Sequence, residues 1–272
     1  MLPVFGHRVR IGCAVLLFWL AAFGVAQMRD RISARYEAEM QDPVDDPPDA
    51  GRKGELSFGR LRYHSPLDGQ RFGGYSRWGI DANKGDRLFI SILQRLTRID
   101  VEPTETILDI DSDELFNRPF LFAVSVGDWQ LSRAQAARIG EYLRRGGFLM
   151  VDDFHNDREW NVFMDGIRQM GLAAEPEELS DSDSPFHVLF DLKERVRVPG
   201  ANVVHGSGIE RGGTVPHWRG IMDPRGRMVV AITFNQDIGD GWEFADVPDY
   251  PERLSSQAIR LGTNYVVYAM TH

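Results

Sequence analysis

Residues 132–159 read SRAQAARIGEYLRRGGFLMVDDFHNDRE, and the pattern in this stretch decides the fold class. Ser132 followed three residues later by Gln135 is a capping-box start, in which serine and glutamine side chains satisfy amides that a first helical turn leaves orphaned. Ala136, Ile139, Tyr142 and Leu143 then recur at helical spacing, and Arg144-Arg145 sit where the negative end of the helix dipole favours cations. Gly146-Gly147 stops the helix. Phe148-Leu149-Met150-Val151 is a short apolar run, as expected of a strand covered on both faces. It gives way to Asp152-Asp153-Phe154-His155-Asn156-Asp157. In an open parallel sheet, ligands bind beyond the carboxyl ends of the strands, so this acidic loop is the first candidate site.

The alternation extends in both directions. Upstream, Phe58 to Tyr63 reads as a strand, and Asp68 to Asp81 as a Gly- and aromatic-rich loop. Asn83 or Asp81 caps a helix whose face is Leu88, Ile92, Leu96 and Ile99. Thr104 to Ile110 and Pro119 to Val126 read as strands. Downstream, Trp160, Phe163, Ile167 and Met170 mark a helix closed by Gly171, and Leu172 to Glu175 a weak strand. Residues 176–224 read as irregular, Arg227 to Phe234 as a strand, 235–243 as a second polar loop, and Ser255 to about Met270 as the last helix. Strand–helix alternation implies parallel pairing with right-handed crossovers: an α/β, three-layer sandwich with a mostly parallel central sheet.

Before this region lie two segments of another character. His7, Arg8 and Arg10 precede an apolar run from Ile11 to Ala26, and Gly24-Val25-Ala26 presents the small residues a signal peptidase reads. Residues 1–26 are expected to be a cleaved signal peptide or a retained membrane anchor, placing the rest outside the cytoplasmic membrane, periplasmic or anchored facing outward. Residues 27–55, with Gln41-Asp42-Pro43-Val44-Asp45-Asp46-Pro47-Pro48-Asp49 at their centre, are expected to be a solvated linker. The globular domain is expected over 56–272.

In the 272-residue chain, 43% of residues are apolar and 26% charged, as in ordinary globular proteins, and the net charge of -9 argues against nucleic acid as a partner. The single cysteine, Cys13, lies in the apolar leader. A mature chain without it has no disulfides, thiolate metal sites or cysteine nucleophile.

Four separated motifs carry a family resemblance: Gly146-Gly147-Phe148-Leu149-Met150-Val151-Asp152-Asp153-Phe154; Phe58-x-Arg60-Leu61-x-Tyr63; Asn235-x-Asp237-x-Gly239-Asp240-Gly241-Trp242-Glu243; and Gly262-x-Asn264-x-Val266-x-Tyr268-Ala269-Met270-Thr271-His272. Together they resemble the bacterial family known as domain of unknown function 4159, over roughly residues 56–272. The resemblance implies a flavodoxin-like sandwich similar to class I glutamine amidotransferases, a cell-envelope setting, and no established activity. Amidotransferase chemistry needs a cysteine on a strand-to-helix turn, and none is present here. A Gly-x-Ser-x-Gly elbow is absent too.

The candidate catalytic residues are Asp152, Asp153, His155, His217 and Arg219. Asp153, His155 and Asp240 are the candidate metal ligands, hard donors suited to a divalent cation, with Asp152 pointing the opposite way from Asp153 on an extended chain. The alternative reading is structural: Asp153 or Asp157 caps the next helix and Asp152 pairs with an arginine. Arg62, Trp78, Trp129, Asp237, Asp240, Trp242 and Glu243 are candidates for ligand binding, the tryptophans either stacking a sugar or covering core. Asp237-x-Gly239-Asp240-Gly241 has part of a calcium-loop ladder but lacks its final bidentate glutamate. Two functions fit: an envelope module that binds a polar small molecule, glycan or envelope protein, or an envelope hydrolase acting on a glycan or similar polar substrate. Close approach of Asp153, His155, His217 and Asp240 favours the enzyme, and their separation favours the binding module.

Overall fold

The computed structural model describes residues 36–70 and 74–272, so the expected signal peptide or anchor over 1–26 lies outside the described residues. The chain divides into two units, Met1–Glu39 and Met40–His272. Of the first, Tyr36–Glu39 is described and forms a turn, the Glu39 amide donating to the Tyr36 carbonyl at 2.9 Å.

The second unit is an α/β domain. Its elements are β1 (Gly59–Arg62), α1 (Lys84–Leu96), β2 (Thr106–Asp109), β3 (Phe120–Val124), α2 (Arg133–Arg144), β4 (Phe148–Asp152) and α3 (Asn156–Met170), then β5 (Glu177–Glu178), β6 (His217–Met222), β7 (Met228–Phe234), α4 (Ile238–Glu243) and α5 (Glu252–Thr271). One seven-stranded sheet runs in the order β2-β1-β3-β4-β7-β6-β5. The first five strands are parallel, while β6 and β5 extend the edge antiparallel. The strand order reverses between β1 and β3, so the crevice at a topological switch point opens at the carboxyl ends of β1 and β3, next to the β4 end.

The local signals read from 132–159 act as expected. Ser132 and Gln135 form the reciprocal capping box, and Gly146 takes a left-handed turn (φ 107°) that ends α2. All residues of β3 and β4 are buried. Successive strand side chains face opposite sides of the sheet. Phe58, Phe120, Phe122, Phe148 and Met150 therefore meet Phe89, Ile90 and Leu93 of α1, Trp242 of α4, and Leu254, Ala258, Leu261 and Tyr265 of α5. On the other face, α2 and α3 pack together. Trp242 stacks on Phe89 at 4.1 Å between ring centroids, a contact that requires Gly262, because a Cβ there would lie 2.5 Å from the indole. Arg60 is fully buried on the same face and makes a two-pronged ion pair with Asp86, both hydrogen bonds at 2.9 Å.

Several expectations need correction. The solvated linker does not extend through 40–55: Met40 is buried, the Gln41 amide donates to Gly79, and Arg87 binds the carbonyls of Val44 and Asp45 and the carboxylate of Asp46. These proline-rich residues lack apolar area, but their backbone groups are satisfied by charged side chains of the domain. Asn83 does not cap α1 through its side chain; it accepts from the Val44 amide instead. The weak strand expected at 172–175 is displaced to Glu177–Glu178. A strand within the supposedly irregular region, His217–Met222, pairs with β7, and residues 238–243 of the second polar loop form a helical turn. No helix among the described residues is long and apolar enough to cross a membrane.

Candidate functional site

Strands β3, β4 and β7 end close together, with Val124 in register with Asp152 and Val151 with Ile232. Each chain leaves through a non-glycine residue in the left-handed region: Ser125 (φ 49°), Asp153 (φ 51°) and Asn235 (φ 60°). Asp81, from the β1–α1 connection, adopts φ 60°. Such residues cost about 1–3 kcal/mol each and persist where surrounding contacts hold them. Of these, Asp81 and Asp153 line a cavity of about 220 Å³, with Glu210, Arg211, Asp237 and Asp240 among the other lining residues. Five of those six are carboxylates and one is a cation.

One side of the cavity is electrostatically compensated. Asp153 accepts from Ser125 Oγ (2.7 Å) and Arg211 Nη2 (2.6 Å), and its Oδ1 lies 3.2 Å from His155 Nε2. Burial works to raise its pKa, but the Arg211 guanidinium, with His155 and Ser125, holds the carboxyl well below its ordinary range. Glu210 lies 3.4 Å from the same imidazole nitrogen, and Arg211 is 3.3 Å from Glu159. Ser125 donates to the carboxylate rather than to the imidazole, so Ser125, Asp153 and His155 are not ordered as a nucleophile, base and orienting acid.

The other side has no cation in direct contact among the described residues; Arg60 and Lys84 act on it only from a distance. Carboxylate oxygens of Asp81, Asp240 and Glu243 lie within 4.8 Å of one another. At an effective dielectric near 20, each ionised pair at that spacing repels by about 3 kcal/mol or more. Asp240 Oδ2 accepts from the Ala201 amide at 2.6 Å. Among the described residues, neither oxygen of Asp81 accepts from an amide, hydroxyl or cation, nor does Glu243 Oε2, although both residues are 1% exposed. Burial pushes Asp240 and Glu243 up to about 7, and raises Asp81 well above its ordinary value with the charges of Asp240 and Glu243 adding to the effect. Asp237, also raised by burial and then by Asp240, caps α4 by accepting from the Asp240 amide at 2.8 Å.

The sequence candidates divide accordingly. Asp153 and His155 come together, and Asp240, which lines the same cavity as Asp153, is grouped instead with Asp81 and Glu243. Asp152 instead ties strands to helix: its two oxygens accept from Thr233 Oγ1 (2.5 Å) and the Gly239 amide (2.8 Å), and burial pushes it up to about 8. Neither Asp153 nor Asp157 caps α3; the Asn156 side chain accepts from the Arg158 and Glu159 amides. His217 and Arg219 both bind Glu178, on the antiparallel edge, at 2.9 and 3.0 Å. Arg62 pairs with Asp109 across β1 and β2. Trp78, Trp129 and Trp242 are 1%, 4% and 0% exposed, so their rings fill core and present no platform to a ligand.

Ser125, Asp81, Glu210 and Arg211 complete the site. Asp81 stands out in the sequence only as a cap candidate. Glu210-Arg211 lie in the glycine-rich run Gly206 to Gly213, whose composition announces a turn and nothing about what it faces.

A family model described as domain of unknown function (DUF4159) matches residues 57–270, and the chain belongs to that family. No curated protein matches the sequence.

Proposed function

We propose that this DUF4159 member is an exported cell-envelope domain that binds a small polar ligand, carrying positive charge, in the pocket at the carboxyl ends of its strands. The observation that carries this reading is the surplus of buried carboxylates over cations lining that pocket. A site of this composition gains most from a ligand that returns positive charge, because each uncompensated carboxylate removed from water is costly. The order of the five parallel strands, which is that of flavodoxin-like doubly wound sheets, supports the finer classification and the use of this face. Export rests on the leader-like residues 1–26, and attachment to the membrane follows if they are retained.

The separation of His217 from Asp153, His155 and Asp240 supports binding over hydrolysis. A second reading, an envelope hydrolase, rests on the imidazole–carboxylate contact between His155 and Asp153, with Glu210 beside it. That group has the elements of general acid–base catalysis but is almost entirely buried, and it lacks an aligned nucleophile.

The test uses full-length protein in chelator and compares amine-bearing glucosamine oligomers with their N-acetylated forms. A rise in thermal midpoint is expected with the amines alone, and it should be lost in Glu210→Gln. Equal response to both series, or to neither, would refute the binding reading. Release of new reducing ends from either series, abolished by His155→Gln, would establish the hydrolase in its place.

A further inference from the structure

We propose that Asp81, Asp240 and Glu243 hold one hard divalent cation: calcium, magnesium or manganese. This deepens the binding reading above and rests on it for the use of the pocket. An acidic cluster alone is weak grounds for an ion, since protons or solvent can serve. Here the independent observation is Asp81, 1% exposed, neither of whose oxygens accepts from any amide, hydroxyl or cation among the described residues while both are directed at the carboxyls of Asp240 and Glu243. Glu243 Oε2 is in the same condition. Buried polar atoms in folded proteins are nearly always satisfied, so these oxygens call for a partner.

Among the described residues no side-chain cation makes a hydrogen bond or ion pair with these oxygens, although the charges of Arg60 and Lys84 act on Asp81 and Glu243 from a distance. Arg60, the buried guanidinium nearby, is committed to both oxygens of Asp86 at 2.9 Å and to the Ile80 carbonyl at 3.2 Å. The Lys84 amine lies over the Phe244 ring, 5.0 Å from its centroid. The backbone is shaped around the carboxylate: a Cβ at Gly239 would come within 2.2 Å of Asp81 Oδ2, so the first turn of α4 leaves space that any other residue would fill. Asp81 is itself held in a left-handed conformation that brings it there.

The chemistry of the donors selects the ion. All three are carboxylates, and oxygen-only sets suit calcium, magnesium and manganese over zinc or copper. The neighbouring trio of Asp153, His155 and Glu210 is the competing position. There Arg211 already neutralises Asp153 at 2.6 Å, and a metal would face that guanidinium. Asp81 and Asp240 also line the pocket, so coordination positions left open by the protein face the ligand space.

The experiment strips the full-length protein with EDTA, reloads it with calcium, magnesium or manganese singly, and measures bound metal after gel filtration together with the thermal midpoint. One equivalent of at least one of these ions is expected, with a midpoint rise of about 5–10 °C at a hundredfold excess over Kd. Asp81→Asn and Glu243→Gln should each weaken ion binding at least tenfold, while in chelator each should melt no lower than the parent, because repulsion among the carboxylates is relieved. That second readout separates ligation from misfolding. Glu210→Gln should keep the ion. The proposal is overturned if no ion binds stoichiometrically, if Asp81→Asn binds it unchanged, or if Glu210→Gln loses it while Asp81→Asn does not. Because the amine experiment depends on Glu210 and is run in chelator, its result and this one can fail separately.

Discussion

In the presence of chelator, raising the pH from 5 to 7 should destabilise the domain, the reverse of the usual behaviour of a protein rich in salt-bridged carboxylates. Burial pushes Asp240 and Glu243 up to about 7 and Asp152 up to about 8. Unfolded, these groups titrate near 4. Between pH 4 and the raised values the folded chain retains protons that the unfolded chain has released. The unfolded state binds fewer protons, so the free energy of unfolding falls as pH rises through this window. Each retained proton contributes about 1.4 kcal/mol per pH unit. If the coupled cluster is counted as retaining a single proton, the loss from pH 5 to 7 is about 3 kcal/mol, a substantial part of the 5–15 kcal/mol typical of a domain. Asp153 acts in the opposite sense: its carboxyl is held low, so its contribution is complete above pH 4 and is lost only in more acidic solution. It does not mask the effect. The assay is urea unfolding followed by tryptophan fluorescence, which the buried Trp78, Trp129 and Trp242 report. The midpoint should fall steadily across pH 5, 6 and 7, and Glu243→Gln should flatten the slope. A midpoint that stays level or rises over this range would refute the electrostatic account of the pocket.

Other consequences concern the scaffold. Arg60→Met strands the fully buried Asp86, whose own pKa burial raises to about 6, and should cost about 3–5 kcal/mol in denaturant unfolding; the double variant with Asp86→Leu should recover most of it. Trp242→Ala should cost about 3–5 kcal/mol, since it removes the ring stacked on Phe89 and the donor to the Ala258 carbonyl. A loss of ligand affinity at unchanged stability would instead restore Trp242 as a binding platform. His217→Ala breaks a partly exposed contact with Glu178 and should change stability by no more than about 1 kcal/mol, with amine binding at the pocket unaffected.

Much of the domain was legible because its information is local. The capping box at Ser132 and Gln135, the Gly146-Gly147 stop and the buried runs of β3 and β4 are set by neighbours within a few residues, and each acts where the pattern puts it. β6 was hidden because its ladder is satisfied by β7, while its own run mixes His217, Arg219 and Gly220 with apolar residues. Segment 40–55 reads as a free tether because composition records apolar area but not the remote Arg87 and Asn83 that bind its backbone and the Asp46 carboxylate, nor Asp100, to which the segment's own Arg52 pairs.

The site shows the same division. Sequence alone determined an α/β domain with chemistry-bearing residues at the ends of β4 and β7, Asp153 and His155 among them, and the absence of a cysteine beyond Cys13; that Asp153 and His155 touch came from the structure. Only the tertiary structure decided which carboxylates are compensated. Asp152 and Asp153 are adjacent in sequence, yet Asp152 is pushed up to about 8 while Asp153 is held low, because one faces Thr233 and Gly239 and the other faces Arg211. Asp81 and Glu243, 162 positions apart, share one uncompensated cluster. Pattern and propensity act over a few residues; charge acts through space, and its partners are chosen by how the chain closes on itself.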